Sequence, residues 1–172
     1  MAVSIERKLV NRSAVITGGV RGIGRAIAER FAAHGANILI ADIDGDGAAD
    51  AAREIAERHN VTAIGVQINV AVAGENRAMI EQAIARFGRL DILLCNAGIV
   101  RPARPLEHIP AADWQQMIDI NLMGCVHASS AFIPHAKANG YGKIIYMASV
   151  AGQVGGSRPR SATRSPRQGF CA

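Results

Sequence analysis

No apolar run in these 172 residues approaches the roughly 20 needed to cross a membrane as a helix. The opening Met1-Ala2-Val3-Ser4-Ile5-Glu6-Arg7-Lys8 lacks the apolar core of a secretory signal. Cysteine is scarce. Cys95, Cys125 and Cys171 are odd in number, widely spaced and without a metal-ligand pattern, which argues against a disulfide framework and reads as free thiols of a cytosolic protein. The five histidines, His34, His59, His108, His127 and His135, also lack ligand spacing, so helix-packing or surface roles are expected and no metal site. Acid is missing from one place. Residues 157–172 hold Arg158, Arg160, Arg164 and Arg167 and no Asp or Glu, so four of the five excess positive charges sit in that tail. Basicity confined to one end, without aromatics interleaved among the arginines, is not the footprint of a nucleic-acid-binding face. These absences leave a cytoplasmic globular domain with neither a membrane nor a nucleic-acid partner, and the length suffices for one sizeable core.

What is present is alternation. Apolar runs rich in Val, Ile and Leu predict strands near 13–18, 36–41, 62–69, 90–95 and 142–148, and helical patterns predict helices near 22–34, 46–59, 74–88 and 111–138. In the first helix Ile23, Ala26, Ile27 and Phe31 fall on one stripe; in the second Ala48, Ala52, Ile55 and Ala56 point inward; in the third Met79, Ile80, Ala83, Ile84 and Phe87 do so before Gly88. Asp44-Gly45-Asp46 supplies the cap region of the second helix, and Pro134 bends the last turn of the fourth. Strict βαβα order implies an α/β fold, a Rossmann-like doubly wound parallel sheet with right-handed crossovers, here with five strands. That domain occupies residues 1–156. Residues 157–172, dense in Arg, Pro and Ser, have no apolar period and are expected to be disordered.

Between the first strand and first helix lies Thr17-Gly18-Gly19-Val20-Arg21-Gly22-Ile23-Gly24. A glycine-rich turn there makes a pyrophosphate site from backbone alone, because helix-start N–H groups lack intrahelical partners and the helix dipole favours an anion. The glycines serve a tight turn, close approach of the ligand, and close packing of helix on strand. Asp42 ends the next apolar run, Asn37-Ile38-Leu39-Ile40-Ala41, where a carboxylate would meet an adenosine ribose. Asn96-Ala97-Gly98 follows the fourth strand, Asn121 stands in Asp119-Ile120-Asn121-Leu122, and Ser149 follows the fifth strand.

With these motifs in register, residues 8–156 resemble the classical short-chain dehydrogenase/reductase family. The resemblance implies hydride transfer between a nicotinamide cofactor and a secondary alcohol or ketone on a small molecule. It assigns cofactor binding to Gly18, Arg21, Gly22, Ile23, Gly24, Asp42, Asn69, Val70, Asn96, Ala97 and Gly98. It gives Ser149 a hydrogen bond to the substrate oxygen and Asn121 a kinked helix and a water in a proton relay; otherwise Ser149 caps a turn and Asn121 is a solvent-facing helix residue. Ile118, Ile120 and Leu122 around Asn121 suggest burial. Asp42 accepts both ribose hydroxyls and repels a 2′-phosphate, whereas Arg21 resembles the basic residue that accompanies NADP use, so NAD is expected and NADP less so. Asn69 departs from the Asp usual at the end of the third strand, but its oxygen can accept the same adenine amino bond. The loop Arg101-Pro102-Ala103-Arg104-Pro105 borders the substrate mouth. The helix opening with Trp114, Met117 and Ile118 is expected to pack on its twin in a homo-oligomer of an intact family member, an assembly doubtful for this chain.

The general acid/base of the family, a Tyr followed four residues later by Lys, should stand about a dozen residues past Ser149. Ala162-Thr163 occupy that place, and no Tyr-x-x-x-Lys occurs anywhere. Codons for Ala162-Thr163 and Pro166-Arg167 can hide TAC and AAG, tyrosine and lysine, in the frame displaced by two bases. A frameshift near Gly156 in the gene is therefore expected, with loss of turnover, a bare fifth-strand edge, and a degenerate or non-catalytic dinucleotide-binding protein as the alternative reading.

Overall fold

In the computed structural model, residues 7–102 and 105–149 are described. The expectation of disorder for 157–172, and residues Ala103 and Arg104 of the mouth loop, lie outside them. Five parallel strands, β1 (Ser13–Thr17), β2 (Asn37–Asp42), β3 (Ala63–Gln67), β4 (Ile92–Cys95) and β5 (Lys143–Tyr146), form one sheet in the order β3-β2-β1-β4-β5. Ala14 pairs with Ile38 on one side and Ile92 on the other, and Ile92 in turn with Lys143. The order reverses at β1, which opens a crevice between the C-terminal ends of β1 and β4.

Strand side chains alternate between two cores. Ala14, Ile16, Ile38 and Ile40 face α1 (Gly22–Ala33) and α2 (Gly45–His59), whereas Val15, Leu39 and Leu93 face α3 (Ala73–Phe87) and α5 (Gly124–Ala138). The middle strands are buried on both faces, which is why their sequences are continuous apolar runs rather than alternating ones.

The strands are shorter than expected at β3, β4 and β5, and one inward stripe differs. In α1 the buried residues are Gly24, Ala28 and Ala32, while Ile23 is 62% exposed, Ala26 is exposed, and Ile27 and Phe31 pack from the flanks. The reason is distance: α1 lies so near the sheet that a Cβ on Gly24 would collide with the Gly18 carbonyl and the Asn96 amide. Only small residues fit there. In α2, Ala48, Ala51, Ala52 and Ile55 are buried, and Ala56 sits at the margin. Asp44 caps this helix by accepting from the Gly47 N–H at 3.0 Å. Glu29 on α1 gathers Arg25, Arg58 and His59; burial raises its carboxyl pKa, but His59, Arg25 and Arg58 together hold it below the ordinary value.

The expected long helix 111–138 is two helices, α4 (Ala111–Ile118) and α5, joined by a π-helical turn at Asp119–Met123. Ile118 and Leu122 are exposed there, and only Ile120 packs on the core. The wider turn rotates the face of the helix by one residue, so three apolar neighbours in sequence do not share one environment. Pro134 lies within α5, which continues past it to Ala138.

Candidate cofactor site

The glycine turn is built by backbone conformations that side chains oppose. Gly18 has φ +65°, and a Cβ there would stand 2.8 Å from the Ala97 Cα; Gly22 has φ +60° and open space where its Cβ would be. Gly18 N–H donates to the Ala41 carbonyl at 2.7 Å, fixing the turn on β2. Arg21, extended and exposed, precedes α1, and no side chain caps that helix. Its first N–H groups therefore face the open side of the turn. Ile23, the second residue of α1, is exposed beside them.

Asp42 ends β2 with its carboxylate turned toward this turn. Its Oδ2 accepts from the Val20 N–H at 3.2 Å and its Oδ1 from the Asp44 N–H at 3.3 Å. Each oxygen keeps a further lone pair. The 2′,3′-diol of a ribose and a pyrophosphate beside it thus have complementary groups on one corner of the sheet.

From the other side of the crevice, Asn96 crosses to β1. Its side-chain N–H groups donate to the Thr17 carbonyl at 3.0 Å and the Gly18 carbonyl at 2.9 Å. Thr17, 2% exposed, answers with one hydroxyl that accepts from the Asn96 and Ala97 N–H groups and donates to Leu94 O. Thr17 was visible in the sequence only as the residue before Gly18; its two-sided bonding depends on a partner 79 residues away, which no local pattern reveals. Gly98 leaves room for Asn121, whose Oδ1 accepts from Ile99 N–H at 2.8 Å and whose Nδ2 donates to Ile99 O at 3.0 Å. Asn121 is therefore half-buried rather than solvent-facing, and it ties the π turn to the segment after β4.

The remaining expected residues fall on the same rim with qualifications. Asn69 Oδ1 accepts from the Ala71 N–H at 3.1 Å, leaving one lone pair for a ligand. Val70 is buried: its side chain packs where Gly124 has no Cβ, and its carbonyl accepts from Asn76 Nδ2 at 2.8 Å. Ser149 is half-buried three residues beyond β5, whose Tyr146 pairs with Cys95. Among the described residues no three His, Cys, Asp or Glu side chains could hold a metal, and no helix is long and apolar enough to cross a membrane.

A second polar cluster, at the opposite ends of the strands, had one sequence signal: an acid inside an apolar run. Asp91, 1% exposed, accepts from Arg12 Nη1 at 2.7 Å, Arg89 Nε at 2.8 Å and the Ser13 N–H at 3.0 Å. Burial pushes its carboxyl pKa up, but Arg89, Arg12 and the Ser13 N–H outweigh that and hold it below the ordinary value. Arg12 also lies over the Tyr141 ring, 4.1 Å from its centre.

The sequence model of the family described as short chain dehydrogenase matches residues 12–160. The chain is 40% identical over 150 residues to an uncharacterised short-chain type dehydrogenase/reductase of Sinorhizobium fredii, covering 86% of this chain and 59% of that protein. It is 37% identical over 148 residues to a 2-dehydro-3-deoxy-L-rhamnonate dehydrogenase (NAD(+)) of a Sphingomonas species, covering 86% and 57%. It is 36% identical over 146 residues to the 3-oxoacyl-[acyl-carrier-protein] reductase of Staphylococcus aureus, covering 85% and 59%. The chain thus spans less than two thirds of the length of these relatives. A 3-2-1-4-5 parallel sheet, a glycine turn at its switch point and a match over most of the sequence agree: the chain belongs to the short-chain dehydrogenase family.

Proposed function

We propose that the chain binds NAD at the β1–α1 turn, in the manner of an oxidoreductase that interconverts a secondary alcohol and a ketone on a small molecule. The observation that carries this reading is Asp42, whose carboxylate is held against the glycine turn by Val20 N–H. The pyrophosphate would lie on the first N–H groups of α1, with Gly18 and Gly22 keeping side chains out of its way. Asp42 would accept the ribose hydroxyls and disfavour a 2′-phosphate: at about 4 Å one pair of like unit charges costs roughly 1 kcal/mol in water and about 4 at an effective dielectric of 20. The Sphingomonas relative carries NAD(+) in its name, which supports the same choice.

The nicotinamide, when bound, supplies or takes the hydride. Ser149 would donate a hydrogen bond to the substrate oxygen as charge grows on it. Asn121, fixed through Ile99, would hold a water at the π turn. No Tyr-x-x-x-Lys occurs in the 172 residues, and a missing positioned acid/base typically removes a factor of about 10² to 10⁴. Binding without turnover is the behaviour proposed for this chain, and a frameshift near Gly156 is the origin proposed for it. In an intact family member, assembly through α4 and α5 would bury Ile118, Leu122, Val126 and Ile133, which are apolar and exposed at helical spacing here.

Titrating the purified chain with NAD and NADP by calorimetry tests the site. Saturable binding that favours NAD supports the proposal; no binding of either defeats it. Cofactor-dependent oxidation of an alcohol would overturn the part concerning turnover, and DNA across residues 150–172 read in one continuous frame without the hidden codons would remove the frameshift.

A further inference from the structure

Polar side chains that the cofactor site leaves unused gather inside the second core. Cys95 ends β4 and is 3% exposed, while Cys125 is the second residue of α5 and half-buried. Cys125 packs against the cluster that holds Cys95, close enough for each thiol to shift the other's titration. Contacts extend on both sides: Cys125 Sγ donates to Asn121 O at 3.4 Å, and the Ser129 and Tyr146 hydroxyls lie 2.8 Å apart. Two free thiols in contact, one shielded and one with partial access, make a dithiol rather than two isolated residues.

We propose that Cys95 and Cys125 form a redox modification site, which a hydroperoxide oxidises to an intrachain disulfide joining the end of β4 to the start of α5. The two thiols differ in the way the reaction requires. The hydrogen bond from Cys95 holds the Cys125 thiol at about 7 against the upward push of burial. Its thiolate is the first nucleophile. Cys95 is pushed up by its hydrogen bond to Cys125, then by burial, then by the neighbouring thiolate charge.

With hydrogen peroxide, the Cys125 sulfur attacks one oxygen, the O–O bond breaks, and the departing hydroxide takes the proton that Cys125 had lost. Water and a Cys125 sulfenic acid result. The thiolate that restrained Cys95 is then gone. The Cys95 sulfur attacks the Cys125 sulfur, the S–O bond breaks, and the leaving hydroxide takes the Cys95 proton as a second water. Two thiols and one peroxide thus give one disulfide and two waters. The bridge would link the residue before Asn96 to the element that follows Asn121, and would remove the S–H that donates to Asn121 O.

This proposal stands apart from the cofactor reading, and its test needs no nucleotide. The full-length Cys171→Ser chain, which keeps only these two thiols, is exposed natively to hydrogen peroxide, alkylated, and digested without reduction. The expected product is a peptide pair joining Cys95 to Cys125 from chains that run as monomers, lost on reduction. In a chain also carrying Cys95→Ala, Cys125 should proceed instead to sulfinic acid. Recovery of both cysteines as alkylated thiols, over-oxidised Cys125 beside an intact Cys95 thiol, or bridges found only between chains would each overturn it.

Discussion

The two ends of the sheet use polar groups in opposite ways. At the C-terminal ends of β1, β2 and β4, Asp42, Asn96 and Thr17 bond backbone groups and hold a turn open. At the N-terminal ends, Asp91 is closed over by two guanidinium groups and an N–H, with Tyr141 beneath Arg12. One rim holds backbone donors ready for a ligand; the other has its charges satisfied internally. The lesson is that burial of a carboxylate says little about function until its partners are named: Asp91 is the more buried acid, and Asp42 the one at the proposed cofactor site.

Substitutions should separate the two rims. The largest effect is expected from Asp91→Ala, which strands Arg12, Arg89 and the Ser13 N–H without their shared acceptor. Losing an acceptor that serves the buried Ser13 N–H and two partly exposed guanidinium groups costs about 3 kcal/mol. Urea unfolding should show that loss, while NAD affinity of the folded fraction stays as it was; a matching loss of affinity would mean the ends are coupled. Gly24→Ala comes next. Its methyl would force α1 away from Gly18 and Asn96 at a cost of about 1–3 kcal/mol, with nucleotide affinity falling at least about tenfold in calorimetry.

Asp42→Ala should cost only about 1–2 kcal/mol of stability, two long hydrogen bonds from the Val20 and Asp44 N–H groups being at stake. Its signature is instead the ratio of NAD to NADP affinity, expected to fall about tenfold, and an unchanged ratio would remove Asp42 from specificity. The smallest effect is the pH response. The native Asp91 carboxyl titrates below its ordinary value of 3.8, so its contribution is complete above that pH and is lost as pH falls through the lower native value. Acid unfolding followed by circular dichroism should shift to lower sensitivity in Asp91→Asn.

How much of this was legible in the sequence follows the range of the interactions. Strand positions and the glycine turn came from apolar period and short spacing, and Asp42 from its place at the end of β2. The α1 stripe was misread because hydropathy ranks Ile23 above Gly24, whereas the close approach to β1 makes the smallest residue the inward one. The π turn has no period of its own; only the family resemblance placed a kink at Asn121, and the bonds from Asn121 to Ile99 join segments 22 residues apart. Likewise the Asp91 cluster was not foreseen: Asp91 was read only as part of the fourth strand, and Arg12 at its side lies 79 residues away in sequence.

Thr17 carries a consequence for motion. Because one hydroxyl oxygen receives both the Asn96 and Ala97 amides and is itself anchored to Leu94, two positions outside any strand are locked as firmly as strand residues. Their amide hydrogens should exchange with deuterated water on the slow timescale of the sheet interior. Slow exchange would mean that the crevice floor is held before the proposed nucleotide arrives, so that little conformational entropy would remain to be lost there on binding.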